Sequence, residues 1–138
     1  TVESAAKKNR IDFLRKIEAK IRFLSNETLL DDVGEIDRTG IHWVIVGGES
    51  GHKARPMSPV WAENIQRQCA LQNASFFFKQ WGGVRKSEAG RMLDDRTYDD
   101  MPERIRKPSI SKNDRLEMIR QVSDWHPQKD TRPSLKTA

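Results

Sequence analysis

Three side chains capable of chemistry stand directly after three short apolar runs. Glu27 follows residues 20–25, Glu49 follows residues 41–46, and Lys79 follows Phe76, Phe77 and Phe78. Two carboxylates and an ammonium gathered at one place can move protons or hold the charged ends of a small ligand. The stretch WVIVGGESGH, residues 43–52, shows the pattern most clearly: an apolar run stops at two glycines, a carboxylate, a hydroxyl and an imidazole. Glycines at such a point expose backbone N–H groups and let a ligand come close. Each residue also has a plainer use. Gly47 and Gly48 permit a tight turn, Lys79 carries the chain out of a core, Trp81 closes over it, and His42 sits inside a strand.

The elements that must position these residues follow from periodicity. Ser4 is placed to cap a helix over residues 5–19, with Ile11, Phe13, Leu14 and Ile17 on its apolar face. Residues 20–25 alternate as a strand. Residues 41–46 are β-branched and aromatic except for His42, a run suited to a parallel strand covered on both faces. Ser58 and Pro59 open a helix that runs to about Gln72, with Trp61, Ile65, Cys69 and Leu71 mostly inward. Residues 75–79 form another buried strand, and residues 91–98 a small hairpin turning at Asp94 and Asp95. A last helix, residues 112–125, uses Leu116, Ile119, Val122 and Trp125. Residues from His126 onward have the composition of a disordered tail.

Helices alternating with buried strands predict an α/β fold with a parallel sheet. All its strands finish at one edge, where ligands of such folds bind. The strand ends bring Glu3, Ser25, Glu27, Gly47, Gly48, Glu49, Ser50, Lys79, Gln80 and Trp81 to one rim. Glu27, Glu49 and Lys79 are the catalytic candidates. The rest, with Glu49, are the ligand-holding ones.

Composition bounds the partners. The 138 residues carry a net charge of +5. Residues 104–138 hold nine Lys or Arg against four Asp or Glu, so this tail carries the whole excess; it is either a solvated end or a contact for nucleic acid by counterion release. The one cysteine, Cys69, allows neither an internal disulfide nor a cysteine-rich metal site, and no metal ligands are expected. No apolar run approaches a membrane span. The expected compartment is the cytoplasm.

Six motifs, in order, resemble one family. They are Val2-Glu3, RFLSNE (22–27) with Leu29-Leu30, WVIVGGESG (43–51), ARPM (54–57), FFKQWG (77–82) and GRMLDDRTYDDMP (90–102). The family is an uncharacterised one of phage and bacterial proteins, itself similar to radical SAM enzymes. The resemblance spans residues 2–102 and implies a parallel-strand half-barrel, a partial TIM-like β/α barrel, with a C-terminal helix and a basic tail. It implies two regions: residues 1–103 as the C-terminal half of such a barrel, and residues 104–138 as an extension. Full-length relatives carry a cysteine cluster near the N-terminus, suited to an iron–sulfur cluster beside S-adenosylmethionine. Both cofactors are implied only for such relatives. Glu27, Gly47, Gly48, Glu49 and Lys79 are retained here. Thr28 stands where the family usually has proline, and Asp95 where it usually has glycine.

Three readings follow. In the first, the chain is half of a cofactor and substrate pocket, inactive alone, and its partner is a missing N-terminal half or a second copy. In the second, it is a small α/β module that binds nucleic acid or a protein through the basic tail and an open sheet edge. In the third, Glu27 and Glu49 act as an acid–base pair, as in barrel glycosidases. The Phe76–Phe78 strand must be covered, by residues 91–101, by a second copy or by the helix around Leu116 to Trp125, because an apolar strand edge invites pairing.

Overall fold

The structure, a computed structural model, describes residues 1–103 and 111–123. The chain divides into two compact units, Thr1–Glu103 and Arg104–Ala138. The expected disordered tail from His126, and Trp125, lie outside the described residues.

The first unit is built on a three-stranded parallel sheet. Its strands are β1 (Phe23–Glu27), β2 (Trp43–Gly47) and β3 (Ser75–Gln80), in the order β1-β2-β3. The β1–β2 register pairs Leu24 with Val44 and Asn26 with Val46. The β2–β3 register pairs Val44 with Phe76 and Val46 with Phe78, then shifts at Gly47, which pairs with Gln80. Because side chains alternate along a strand, these rows share one face, and all six are buried. The other face carries Phe23, Trp43, Ile45 and Phe77. It is not covered to the same degree: Phe23 is 49% exposed, and the other three are half-buried. The sequence run of β2 suggested burial on both faces. The alternation shows that only one face is packed.

The packed face lies under α2 (Pro59–Leu71), which buries Ala62, Ile65, Gln68 and Cys69. Pro59 at the first turn suits the fixed φ of proline. Ser58 sits at the N-cap but makes no side-chain cap bond. The helix ends in a Schellman arrangement: Asn73 takes φ +54, and the Ala74 N–H donates to the Cys69 carbonyl at 3.0 Å. Leu71, expected inward, is 80% exposed, and Gln68 occupies the inward turn instead.

That glutamine has a purpose. The connection between β1 and β2 has no helix, yet it buries Leu29, Val33 and Ile36. Its backbone groups need partners. Gln68 Oε1 accepts from the Ile36 N–H at 2.9 Å, and its Nε2 donates to the Gly34 carbonyl at 3.1 Å. Gln72 accepts from the Arg38 N–H at 2.6 Å and donates to the Ile36 carbonyl at 3.0 Å. Arg38 is 2% exposed; its Nη1 donates to Gln68 Oε1 at 2.7 Å, while Nε and Nη2 donate to no hydrogen-bond acceptor among the described residues and the guanidinium lies beside the Cys69 thiol.

The expected helix over residues 5–19 is instead a 3-10 turn, Ala5–Lys7, and a short α1, Arg10–Arg15. Ser4 makes no cap bond. Arg10 is drawn to Glu3 and the Thr1 carbonyl, and Lys8 to the Glu35 carbonyl. Of the expected stripe only Ile11 is buried; Phe13 and Ile17 are 62% and 56% exposed. β1 begins at Phe23, later than expected. The preceding residues are tied to His42: its Nδ1 accepts from the Arg22 N–H at 3.0 Å, and its own N–H donates to the Arg22 carbonyl at 2.9 Å.

Both sheet edges are occupied from within the chain. The Val2 N–H donates to the Ser25 carbonyl at 3.0 Å on the β1 side, and Asn26 Nδ2 donates to the Val2 carbonyl at 2.5 Å. On the β3 side, Phe78 N–H donates to the Tyr98 carbonyl at 2.9 Å, and Asp100 N–H donates to the Phe76 carbonyl at 3.2 Å. The segment after Gly83 therefore folds back along Phe76–Phe78. Its hairpin closes between Leu93 and Arg96, with Asp94 and Asp95 at φ +50 and +58. Positive φ at both central residues is the type I′ geometry that fits the twist of paired strands. A short helix, α3 (Lys86–Ala89), precedes it. The open edge expected of a binding module is not present at these two strands.

In the second unit, α4 (Lys112–Ser123) begins where the Ser111 hydroxyl accepts from the Asp114 N–H at 3.2 Å. Its Leu116, expected to face a core, is 45% exposed.

Candidate functional site

Three parallel strands bring their carboxyl ends to one edge, and there Glu27 and Lys79 meet. Lys79 Nζ donates to Glu27 Oε2 at 2.6 Å. The pair starts from β1 and β3, which lie about 10 Å apart with β2 between them. It closes across Gly47. A Cβ built there would sit 3.5 Å from both Glu27 Cγ and Lys79 Cβ. Glycine thus leaves the space over which the ion pair arches. Glu27 is 26% and Lys79 51% exposed, so both charges remain within reach of a ligand. Beside them Gln80 Nε2 donates to Ser50 Oγ at 3.1 Å. The Glu27–Thr28 peptide is cis.

Gly48 has a different task. Its N–H donates to the Gln80 carbonyl at 3.0 Å, and a Cβ there would lie 1.9 Å from the Trp81 carbonyl oxygen. Across the same crossing, a Cβ on Gly82 would lie 2.1 Å from the Glu49 carbonyl oxygen, and Gly83 N–H donates to that oxygen at 2.7 Å. The chains leaving β2 and β3 therefore touch backbone to backbone, which only glycine allows. The flexible and polar end of the WVIVGGESGH stretch is a rim locked to its neighbour.

Glu49 is engaged. Arg55 Nε donates to its Oε2 at 2.7 Å, Nη2 to its Oε1 at 2.9 Å, and the Arg55 N–H to Oε2 at 2.9 Å. The side-chain bonds from Arg55, then its backbone N–H, hold the Glu49 carboxyl down to about 2. A general acid needs the opposite shift, so the Arg55 contacts hold Glu49 as the carboxylate. Arg55 lies in the ARPM motif but was not among the residues singled out by type and spacing. A two-toothed partner six residues on was its only signal.

The remaining expected rim residues separate. Glu3 turns its carboxylate to Arg10 at 3.1 Å. Ser25 lies within β1 rather than at its end, and its carbonyl takes the Val2 N–H. Trp81 donates its indole N–H to the Met92 carbonyl at 2.7 Å and meets Phe78 at 4.8 Å between ring centroids. It packs as a lid. Cys69 is fully buried on α2, and burial pushes its thiol up to about 11. Among the described residues, no group of three or more His, Cys, Asp or Glu could hold a metal ion. Among the same residues, no helix is long and apolar enough to cross a membrane.

Fold and rim together define a small parallel α/β domain with a polar cluster at its strand ends. The chain belongs to the family described as protein of unknown function (DUF5131), whose model matches residues 1–102. Neither a curated protein nor a solved structure matches it significantly.

Proposed function

We propose that Thr1–Glu103 is part of a β/α-barrel scaffold like that of radical SAM enzymes, of the phage-type family it resembles, and forms one wall of a small-molecule pocket. The observation that carries this is the Glu27–Lys79 pair arching over Gly47 at the carboxyl edge of three parallel strands. The less covered face of Phe23, Trp43, Ile45 and Phe77 below it supports the reading, as the inner wall of a barrel would be lined this way. S-adenosylmethionine has an ammonium and a carboxylate close together. Glu27 and Lys79 offer one opposite charge to each, and Ser50 and Gln80 offer hydroxyl and amide groups. An iron–sulfur cluster does not fit this chain: its single cysteine is buried, with a thiol that resists ionisation, whereas clusters take several thiolates. The cluster ligands and the opposite wall would come from another half or a second copy, and the chain alone is inactive.

Titration of the 15N-labelled chain with S-adenosylmethionine tests this. The reading expects amide shifts at Gly47, Ser50 and Gln80, at a millimolar-range affinity suited to half a site. Glu27→Gln and Lys79→Met would reduce them. Unmoved rim amides at about 1 mM ligand would reject the cofactor pocket.

A second reading rests on charge. The nine Lys or Arg against four acids in residues 104–138 would bind nucleic acid, with an affinity that falls steeply with salt. A flat salt dependence excludes it.

A further inference from the structure

The net charge hides a local division. Residues 7–23 hold seven Lys or Arg against Asp12 and Glu18, a net +5. Residues 92–103 hold five acids against Arg96, a net −4. Each segment also shows apolar side chains to solvent. In the basic one, Phe13, Ile17, Ile21 and Phe23 are 62, 56, 39 and 49% exposed; in the acidic one, Met92 and Met101 are 55 and 50% exposed. Four large apolar residues exposed within eleven positions exceed the scattered single ones that need no explanation.

The two segments lie on opposite sides of the sheet. The basic one leads into β1, whose outer edge holds Val2; the acidic one runs along the outer edge of β3. Three strands separate them, so they do not meet within one molecule. Next to β1 a groove of about 550 Å³ is lined by Leu14, Ile21 and Phe23, with Arg10 and Arg22 beside them. An unbranched methionine side chain adapts to such a groove. Lys20 has no ion-pair partner among the described residues, and Lys16 only lies over the Phe13 ring at 5.6 Å. On the other side, Asp100 and Glu103 have no ion-pair partner among the described residues, whereas Asp99 is taken by Arg91.

We infer that the occupant of the basic groove is a second copy of this chain, which docks its acidic hairpin, residues 92–103, head to tail against residues 13–23. Opposite charges set the register, and the methionines fill the apolar floor. Because the two surfaces differ, the contact is heterologous and leaves each copy with one surface free, so assembly continues into a ring or a filament. The inference does not depend on the cofactor reading: apart from Phe23, which borders both the groove and the sheet face, it uses the flanks of the sheet, not its rim.

Sedimentation velocity of the full chain tests it, at about 0.01 M and about 1 M salt. The expected result is concentration-dependent association at low salt that weakens at high salt. Lys16→Glu with Lys20→Glu, and separately Asp100→Lys with Glu103→Lys, should each weaken it at least about tenfold. An equimolar mixture of the two variants should restore a complex, one reversed surface meeting the other. All four positions are exposed, so the fold survives the changes. Ile21→Ser, in the lining of the groove, should weaken association without altering its salt dependence. A chain monomeric under every condition overturns the inference. So does association untouched by either reversal, which would assign it to the basic tail or the sheet face, and so does a mixture that fails to combine. Binding of a monomeric chain to phosphatidylserine vesicles, lost with Lys16→Glu and Lys20→Glu, would give the groove to a lipid surface and overturn it equally.

Discussion

Gly47 and Gly48 are neighbours with opposite tolerances, and replacing each by alanine separates the two tasks of the rim. At Gly48 the added Cβ would lie 1.9 Å from the Trp81 carbonyl oxygen and 2.7 Å from its carbon. Those are backbone atoms, and no rotamer change relieves the clash. The chains leaving β2 and β3 must part by more than 1 Å, which breaks the bonds from Gly48 N–H to Gln80 and from Gly83 N–H to Glu49. Two such bonds contribute about 1 kcal/mol each, and forced overpacking costs about 1–3 kcal/mol more. Gly48→Ala should therefore destabilise by about 3–5 kcal/mol, much of the total stability of a small domain. At Gly47 the Cβ meets Glu27 Cγ and Lys79 Cβ at 3.5 Å, an ordinary contact. Alanine there also restricts the unfolded chain, so the net change should stay within about 1 kcal/mol. Denaturant unfolding followed by tryptophan fluorescence measures both. In thermal unfolding the Gly48 variant should melt about 12 °C or more below the parent. A Gly48→Ala protein within about 1 kcal/mol of the parent would refute the backbone-crossing argument.

The other outcomes concern buried or paired groups. Arg55 holds Glu49 down to about 2 from an ordinary 4.5, so the carboxylate's stabilisation is complete above pH 4.5 and is lost as the pH falls toward about 2. The melting-temperature gap between the parent and Glu49→Gln should close over that window, and a gap that stays constant would count against the pairing. Gln68→Ala strands the Ile36 N–H and the Gly34 carbonyl together and should cost about 2–4 kcal/mol. Arg38→Met removes a buried charge that has no acidic partner among the described residues, and should be neutral or stabilising by up to about 1 kcal/mol; a loss larger than that from Gln68→Ala would show that Arg38 anchors the loop. The Cys69 thiol, buried and pushed to about 11, should react with a thiol reagent only at the rate of unfolding.

What was legible in the sequence was what local pattern dictates. The β-branched run ending in Gly47 gave β2, Ser58 with Pro59 gave the start of α2, and the phenylalanine run gave β3, because these signals act over a few residues. The two-aspartate turn was legible for the same reason. α1 came out short because Phe13 and Ile17, though correctly spaced, have no surface to pack against; periodicity records a face but not what it meets. β1 was misplaced because His42, twenty residues on, ties down the residues before it. At the rim, three strand ends pointed to Glu27 and Lys79, which the fold brings to 2.6 Å. The same reasoning could not see that Arg55 would occupy Glu49, that Arg10 would take Glu3, or that Gly48 serves a backbone crossing. Each depends on a partner fixed by the path of a loop. Gln68 was invisible for a similar reason: its role is to satisfy the backbone of a segment thirty residues earlier.

The way this sheet is finished restricts how it can be completed. Adding a strand to an exposed edge is a common route by which chains join. Here Val2 occupies the outer side of β1 and residues 98–100 occupy that of β3, so neither strand offers its main chain directly. What is left unfinished is a face and two flanks. The face holds Phe23, Trp43, Ile45 and Phe77, with the Trp43 indole N–H enclosed and lacking an acceptor among the described residues. An enclosed donor without an acceptor is costly. The flanks differ in sign, and that difference favours one direction of approach over the reverse. Growth of the sheet is thus steered away from simple edge pairing and toward layering and charge. This is why the rim, the face and the charged flanks call for separate experiments: each can hold a different partner.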